Sequence, residues 1–162
     1  MVVKSSRVDF SALDLGHLGF FLGLRVNELV MKKMTAAGFK SVRESHGYVI
    51  QHLIESERSI TELARRMEVT QQAASKTVAE LVRLGVLEAV PARDRRAKRI
   101  RLSRRGWRAV EFSRRARRQV ERRLLAAAGK KDYAKAKGVL TACLEGLGGI
   151  ERIRTRRVRQ PQ

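Results

Sequence analysis

Residues equipped for covalent or metal chemistry are sparse in this chain. Histidine occurs three times, at His17, His46 and His52, and cysteine once, at Cys143. His46 and His52 stand six positions apart on one predicted helix, which turns them to opposite sides, and His17 belongs to another. A zinc site needs several His, Cys or carboxylate ligands in close array, so neither a metal nor a cofactor is expected. A single cysteine also excludes an intrachain disulfide. Gly146-Leu147-Gly148-Gly149 lacks the strand–turn–helix setting and the lysine of a phosphate-binding loop. No Ser-His-Asp set or carboxylate pair is legible in the spacing, and the chain reads as a non-enzyme.

Directional hydrogen bonding and positive charge are far better represented. With Ala74, Val78 and Leu81 facing inward, a helix opening at Thr70 turns Gln71, Gln72, Ser75 and Lys76 outward. Gln pairs bidentately with adenine, Ser reaches several base edges, and Lys suits a phosphate or a guanine. Thr70 is placed to cap its own helix and to donate to a phosphate. Further along, Arg93, Asp94, Arg95 and Arg96 form a polar hairpin tip, with Lys98, Arg99 and Arg101 on the strand that follows. Arginine at such a tip is drawn to the negative potential of a narrow minor groove.

Lys and Arg total 36 against 16 Asp and Glu, a formal charge of +20. Self-repulsion at that charge costs stability unless a polyanion neutralises it. Nucleic acid is the first candidate partner and an anionic membrane surface the rival. The low aromatic fraction, 5%, argues against single-strand or RNA recognition by base stacking. The Arg pairs beyond Arg105 (Arg114-Arg115, Arg117-Arg118, Arg122-Arg123) read as the hydrated face of a long helix. No stretch approaches the roughly 20 apolar residues of a bilayer span, and Met1–Phe10 lacks the apolar core of a signal peptide. A cytoplasmic, nucleoid-associated protein with no membrane partner is expected.

The elements that must position these groups follow from hydrophobic periodicity and caps. A helix is expected from Phe10 to Met34, with Leu15, Leu18, Leu22, Val26, Leu29 and Val30 at threes and fours and Gly38 as its stop. A second should run from Val42 to Leu53 behind a Ser41–Glu44 capping box. Ser59 and Glu62 repeat that spacing before a short helix with Ile60, Leu63, Ala64 and Met67 inside. The helix from Thr70 to Leu84 should end at Gly85 in the left-handed conformation. Val86–Val90 and Lys98–Leu102 read as strands of a hairpin. Ser103 caps a long basic helix to Ala128. A turn at Gly129-Lys130-Lys131-Asp132 leads to a last helix with Tyr133, Ala136, Leu140, Cys143, Leu144 and Leu147 on one side, ended by Gly148-Gly149.

The run SITELARRMEVTQQAASKTVAELVRLGVLEAVPARDRRAKRIRLSRRG resembles the MarR family of bacterial and archaeal regulators. Glu62-Leu63-Ala64 matches the family's first helix, Thr70-x-x-Ala73-Ala74-Ser75 its recognition helix, and Asp94-x-Arg96-x-x-x-Ile100-x-Leu102-Ser103 its wing. The flanking helices fit the family's layout. The resemblance implies a mainly α protein with a small β-wing. A winged helix-turn-helix lobe would occupy 41–102 and a helical dimerisation region 10–38 and 104–149. The ends, 1–9 and 152–162, are expected to be flexible basic tails.

It further implies a homodimer whose first and last two helices interlock, a pseudo-palindromic duplex as operator, and a small-molecule effector that weakens DNA binding; a repressor is expected, since occluding a promoter needs no further partner. Asp94 would pair with Arg96 and hold its fork in place. An aromatic or phenolic effector would lodge near Phe20, Phe21, Arg25, Tyr48, His52 and Trp107. Pro91-Ala92 stands where the family often has Asp-Pro. Cys143 lies in the last helix, away from the family's peroxide-sensing position near the first, so peroxide sensing by that route is not expected. The alternative partner class is sequence-tolerant: a nucleoid-associated or other nucleic-acid-binding protein needing only the charge.

Overall fold

The computed structural model describes residues 9, 12–90 and 99–154. Helix α1, Leu15–Met34, starts where the Asp14 carboxylate accepts the His17 N–H at 2.9 Å, later than the expected Phe10. A π-helical turn, Thr35–Phe39, prolongs it, with Gly38 at φ 86°, a conformation open to glycine and strained for other residues. Helix α2 is only His46–Ile50, continued by one 3-10 turn, Gln51–Leu53. The Ser41–Glu44 capping box expected here is not formed. The chain instead turns through successive short-range bonds, from the N–H groups of Val42, His46 and Gly47 to the carbonyls of Phe39, Arg43 and Glu44. These delay the helix by four residues relative to Val42.

The second capping box is realised. Ser59 Oγ accepts the Glu62 N–H, and the Glu62 carboxylate accepts the Ser59 N–H at 2.7 Å, opening α3, Ile60–Met67. The Ser59 N–H, with the Ser59 hydroxyl behind it, holds the Glu62 carboxyl below its ordinary range. Helix α4, Gln71–Arg83, follows its Thr70 cap, and Gly85 ends it at φ 68°.

A three-stranded antiparallel sheet comes next, in the order β1 (Arg58–Ser59), β3 (Arg99–Leu102), β2 (Leu87–Val90). Leu87 pairs with Leu102 and Val90 with Arg99 across the hairpin. The two-residue β1 is too short to show alternation in sequence.

Ser103 joins sheet to helix. Its hydroxyl donates to the Gly85 and Val86 carbonyl region and accepts the Gly106 N–H at 3.0 Å. From it runs α5, Arg104–Ala128. Gly129 alone forms the joint to α6, Lys130–Gly146, so the expected four-residue turn is compressed into one residue. A short α7, Gly149–Arg154, carries helical backbone past the glycine pair and into the segment expected as a tail.

The core gathers Val49, Leu53, Leu63, Leu81, Val86 and Leu87 beneath the lobe, with Val30 and Val120 from the long helices. Burying one such side chain contributes about 1.5–3 kcal/mol. Helix α6 buries none of its residues against the chain. The first half of α1 exposes Leu15, Leu18, Leu22, Phe20 and Phe21. Among the described residues no helix is long and apolar enough to cross a membrane.

Candidate nucleic-acid interface

Thr70 begins the candidate surface. Its hydroxyl accepts the Ala73 N–H at 3.1 Å, which fixes the first turn of α4 and leaves the hydroxyl hydrogen free to turn outward. Ala74, Val78 and Leu81 are buried, so the helix can dock in only one rotation. That rotation exposes Gln71, Gln72, Ser75 and Lys76 together with Thr70. The helix offers amide, hydroxyl and ammonium groups at its N-terminal half, the half that enters a major groove in helix-turn-helix proteins.

Helix α4 is also tied to α2 from behind. Arg43 donates through Nη2 to Glu80 Oε2 at 2.5 Å. The same oxygen lies 3.5 Å from Nε2 of His46. His46 is fully buried, and its Nδ1 accepts the Arg43 backbone N–H at 3.1 Å. With Nδ1 accepting, Nε2 carries the proton and faces the carboxylate. Burial pushes the His46 pKa down despite the opposing pull of Glu80, so the ring is neutral near pH 7. Neither Arg43 nor Glu80 was singled out from sequence, because they lie 37 positions apart with no motif joining them.

The strands flanking the wing use some of their cations internally. Arg101 pairs with Glu88 across β2 and β3 at 2.8 Å. Arg99 lies 3.5 Å from Glu57 and 3.7 Å from Glu62. These two arginines are committed to carboxylates of the lobe. Arg93, Asp94, Arg95, Arg96 and Lys98 lie outside the described residues.

Among the described residues, those expected around an effector that line a hollow are divided between two. Tyr48 lines a cleft of about 390 Å³ between α1, α2 and α5, with Val30, Met34, Ile50 and Val110 as apolar wall and Arg43, Arg114 and Arg117 as cations. Phe21 and Arg25 line a second hollow with Leu24, Glu28 and Glu44. Phe20 and Trp107 are exposed and His52 is buried, and neither space includes them. Arg25 pairs with Glu28 at 2.5 Å. Among the described residues no cluster of three His, Cys, Asp or Glu is arranged to hold a metal ion.

A model of the MarR family matches residues 42–97. A comparison with curated proteins gives no match. Among solved structures, the chain is similar to a point mutant of MepR from S. aureus, with a TM-score of 0.68 at 18% identity, over 83% of this chain and 99% of that one. A MarR family protein from Bacillus stearothermophilus superposes with a TM-score of 0.66 at 17% identity, over 88% and 99% of the two chains. A second point mutant of MepR from S. aureus, bound to an oligodeoxyribonucleotide, gives 0.62 at 19% identity, over 83% and 99%. At these identities the superpositions establish the fold, with its helices and wing sheet in the same arrangement.

Proposed function

We propose that this chain, whose residues 42–97 match the MarR-family model and whose fold superposes on MarR-type structures, is a homodimeric, sequence-specific regulator of transcription that binds duplex DNA. The observation that carries the reading is the exposed face Gln71, Gln72, Ser75 and Lys76 at the capped start of α4. Side chains of that reach and polarity, on a helix held by a buried opposite face, suit the edges of a major groove. Arg93, Arg95 and Arg96, with Asp94 orienting Arg96, extend the contact into the minor groove, and Lys98 meets phosphate. The MepR mutant solved with an oligodeoxyribonucleotide shares this fold, which supports the same partner here.

Dimerisation is supported by the apolar side chains that α1 and α6 leave exposed, among them Leu18, Leu22, Leu140 and Leu144. Two lobes related by a two-fold axis read half-sites about 10 bp apart, hence a pseudo-palindromic operator. The cleft between α1, α2 and α5 combines an apolar wall with three arginines, a fit for a small aromatic or phenolic anion. An occupant there would alter the lobe's pose and release DNA. Repression by promoter occlusion needs no further partner. The protein works in the cytoplasm, on the nucleoid.

Selection of bound sequences from a random duplex pool at fixed salt tests the reading. A two-fold symmetric consensus is expected, with Gln72→Ala shifting its base preference and Arg96→Ala weakening binding by about 1–3 kcal/mol. Recovery of an unenriched pool would reject sequence-specific recognition and leave the sequence-tolerant alternative.

A further inference from the structure

The arginines of α5 divide into sets with different surroundings. Arg105 donates to the Gly38 carbonyl at 3.1 Å and lies over the Phe39 ring. Arg114 and Arg117 line the cleft. Arg104, Arg108, Arg115, Arg118 and Arg122 do neither, although Arg115 lies over the Phe112 ring. With Glu111 they follow a 4-3-4-3-4 spacing, and at 3.6 residues per turn such positions fall within about 80° of arc along roughly 27 Å of helix. All six are exposed. Ala109, Ala116 and Val120, on the opposite side, are buried, so this row faces away from the protein.

The row is costly as a mere hydrated surface. Arg104–Arg108, Arg115–Arg118 and Arg118–Arg122 are like charges three or four apart, each pair destabilising the helix, and Glu111 offsets this only at its neighbours Arg108 and Arg115. Arg104 also sits in the first turn, where no acidic residue offsets the positive end of the helix dipole. Among the described residues no ion pair includes any of the five arginines. Glu111 is the single carboxylate in the row.

We propose that this arginine row on α5 is a second, sequence-independent binding surface for the phosphate backbone of duplex DNA, separate from the base-reading face of α4. The proposal rests on the DNA-binding reading above. Arginine presents a planar fork that matches phosphate, and every cation of the row is arginine, none lysine. Its straight run is on the scale of one turn of B-form DNA, roughly 34 Å. Neither an apolar nor an aromatic side chain falls among these six positions, as insertion into a lipid surface or stacking on single strands would require. The backbone can come from flanks of the bound operator or from a second duplex, and the row contacts phosphates in the same way in both.

The test compares full-length wild type with R108Q/R115Q/R118Q/R122Q and with a charge-matched control, K130Q/K131Q/K135Q/K137Q. Removing repulsion among exposed side chains leaves the first variant folded, which circular dichroism verifies. Binding is measured against salt on three substrates: a short duplex limited to the selected half-sites, the same duplex with random flanks, and two differently labelled duplexes scored for bridging. The expected result is a log–log salt slope shallower by about 0.9 per lost phosphate contact, up to roughly 3.6 per chain. It should appear on the flanked duplex if flanks are the source, or as lost bridging if a second duplex is. The short duplex should be bound as before.

An unchanged slope and unchanged bridging overturn the proposal, as does an equal change in the lysine control. Binding to phosphatidylglycerol vesicles that wild type shows and the arginine variant loses, without any change on DNA, would assign the row to membrane and also overturn it. Wild type that binds none of the duplexes would instead refute the DNA-binding reading itself.

Discussion

Arg43 joins the cleft to helix α4. Its side chain lines the space between α1, α2 and α5, and its guanidinium holds Glu80 of α4 at 2.5 Å. On the proposed effector reading, an anion entering the cleft would compete with Glu80 for that guanidinium and so link occupancy to the pose of α4. Any coupling must equal the ligand's differential affinity for the two poses. Glu80→Gln should therefore cost about 1 kcal/mol or less in stability, since Arg43 is largely exposed. It should also reduce the effect of benzoate, used as a probe anion, on DNA affinity. Duplex titrations with and without benzoate check this; a benzoate response as large in the variant as in wild type would break the link.

His46 gives the lobe a pH dependence of definite sign. Its folded pKa lies below the ordinary histidine value of 6.5, chiefly through burial. Protonation would also turn Nδ1 into a donor facing the Arg43 N–H, although Glu80 would favour the charge at Nε2. A group with a depressed pKa contributes stability above its unfolded value and loses that contribution as pH falls through the folded one. Thermal unfolding midpoints should thus drop as pH is lowered from about 6.5, the unfolded His value. His46→Gln should flatten that part of the profile. An unaltered profile in the variant would place the titration elsewhere.

The lobe was legible in sequence because local signals agree there. Ser59 and Glu62, Thr70 and Gly85 each mark an element boundary through backbone hydrogen bonding within a few residues, and the structure forms all of them. Ser41 and Glu44 have the same spacing as Ser59 and Glu62 without forming a cap. Spacing alone does not reveal that the chain is turning at Val42. Contacts between distant positions left no local trace either. Arg43–Glu80, the packing of Gly106 on Val86 and the two-residue β1 depend on tertiary placement. The members of the expected effector set that line a hollow are divided between two in the single chain, since helical periodicity identifies an apolar face, not the neighbour that closes it. For Phe20 and Phe21 that face is open in the single chain.

Gly106 is the tightest joint between wing and long helix. A Cβ there would lie 2.2 Å from the Val86 carbonyl oxygen and 3.1 Å from a Leu102 methyl. The carbonyl is fixed by β2 and by the Ser103 N–H at 3.0 Å, so it cannot yield without shifting the hairpin. Gly106→Ala should destabilise the protein by about 1–3 kcal/mol or more, the range of overpacked cores, although alanine is the better helix former. Chemical denaturation gives the number. A stability gain would mean that α5 can move away from the sheet at little cost.

Leu140 and Leu144 in α6 and Leu147 just past its end recur at helical spacing, and all three are exposed in the chain. A helix of 17 residues that buries none of its own against the fold has little tertiary packing to hold it, and packing supplies most helical stability in proteins. A second copy covering α6 and the open part of α1 would supply that packing. Charge placed at the centre of such a seam must be desolvated without a partner, which costs several kcal/mol. Leu144→Glu should therefore convert a dimer into a monomer in sedimentation equilibrium and weaken binding to a two-half-site duplex, since the second lobe is no longer delivered with the first. The lobe itself, whose core lies around Leu63 and Leu81, should keep its thermal transition. A variant that still sediments at twice the chain mass would show that the seam does not run through Leu144.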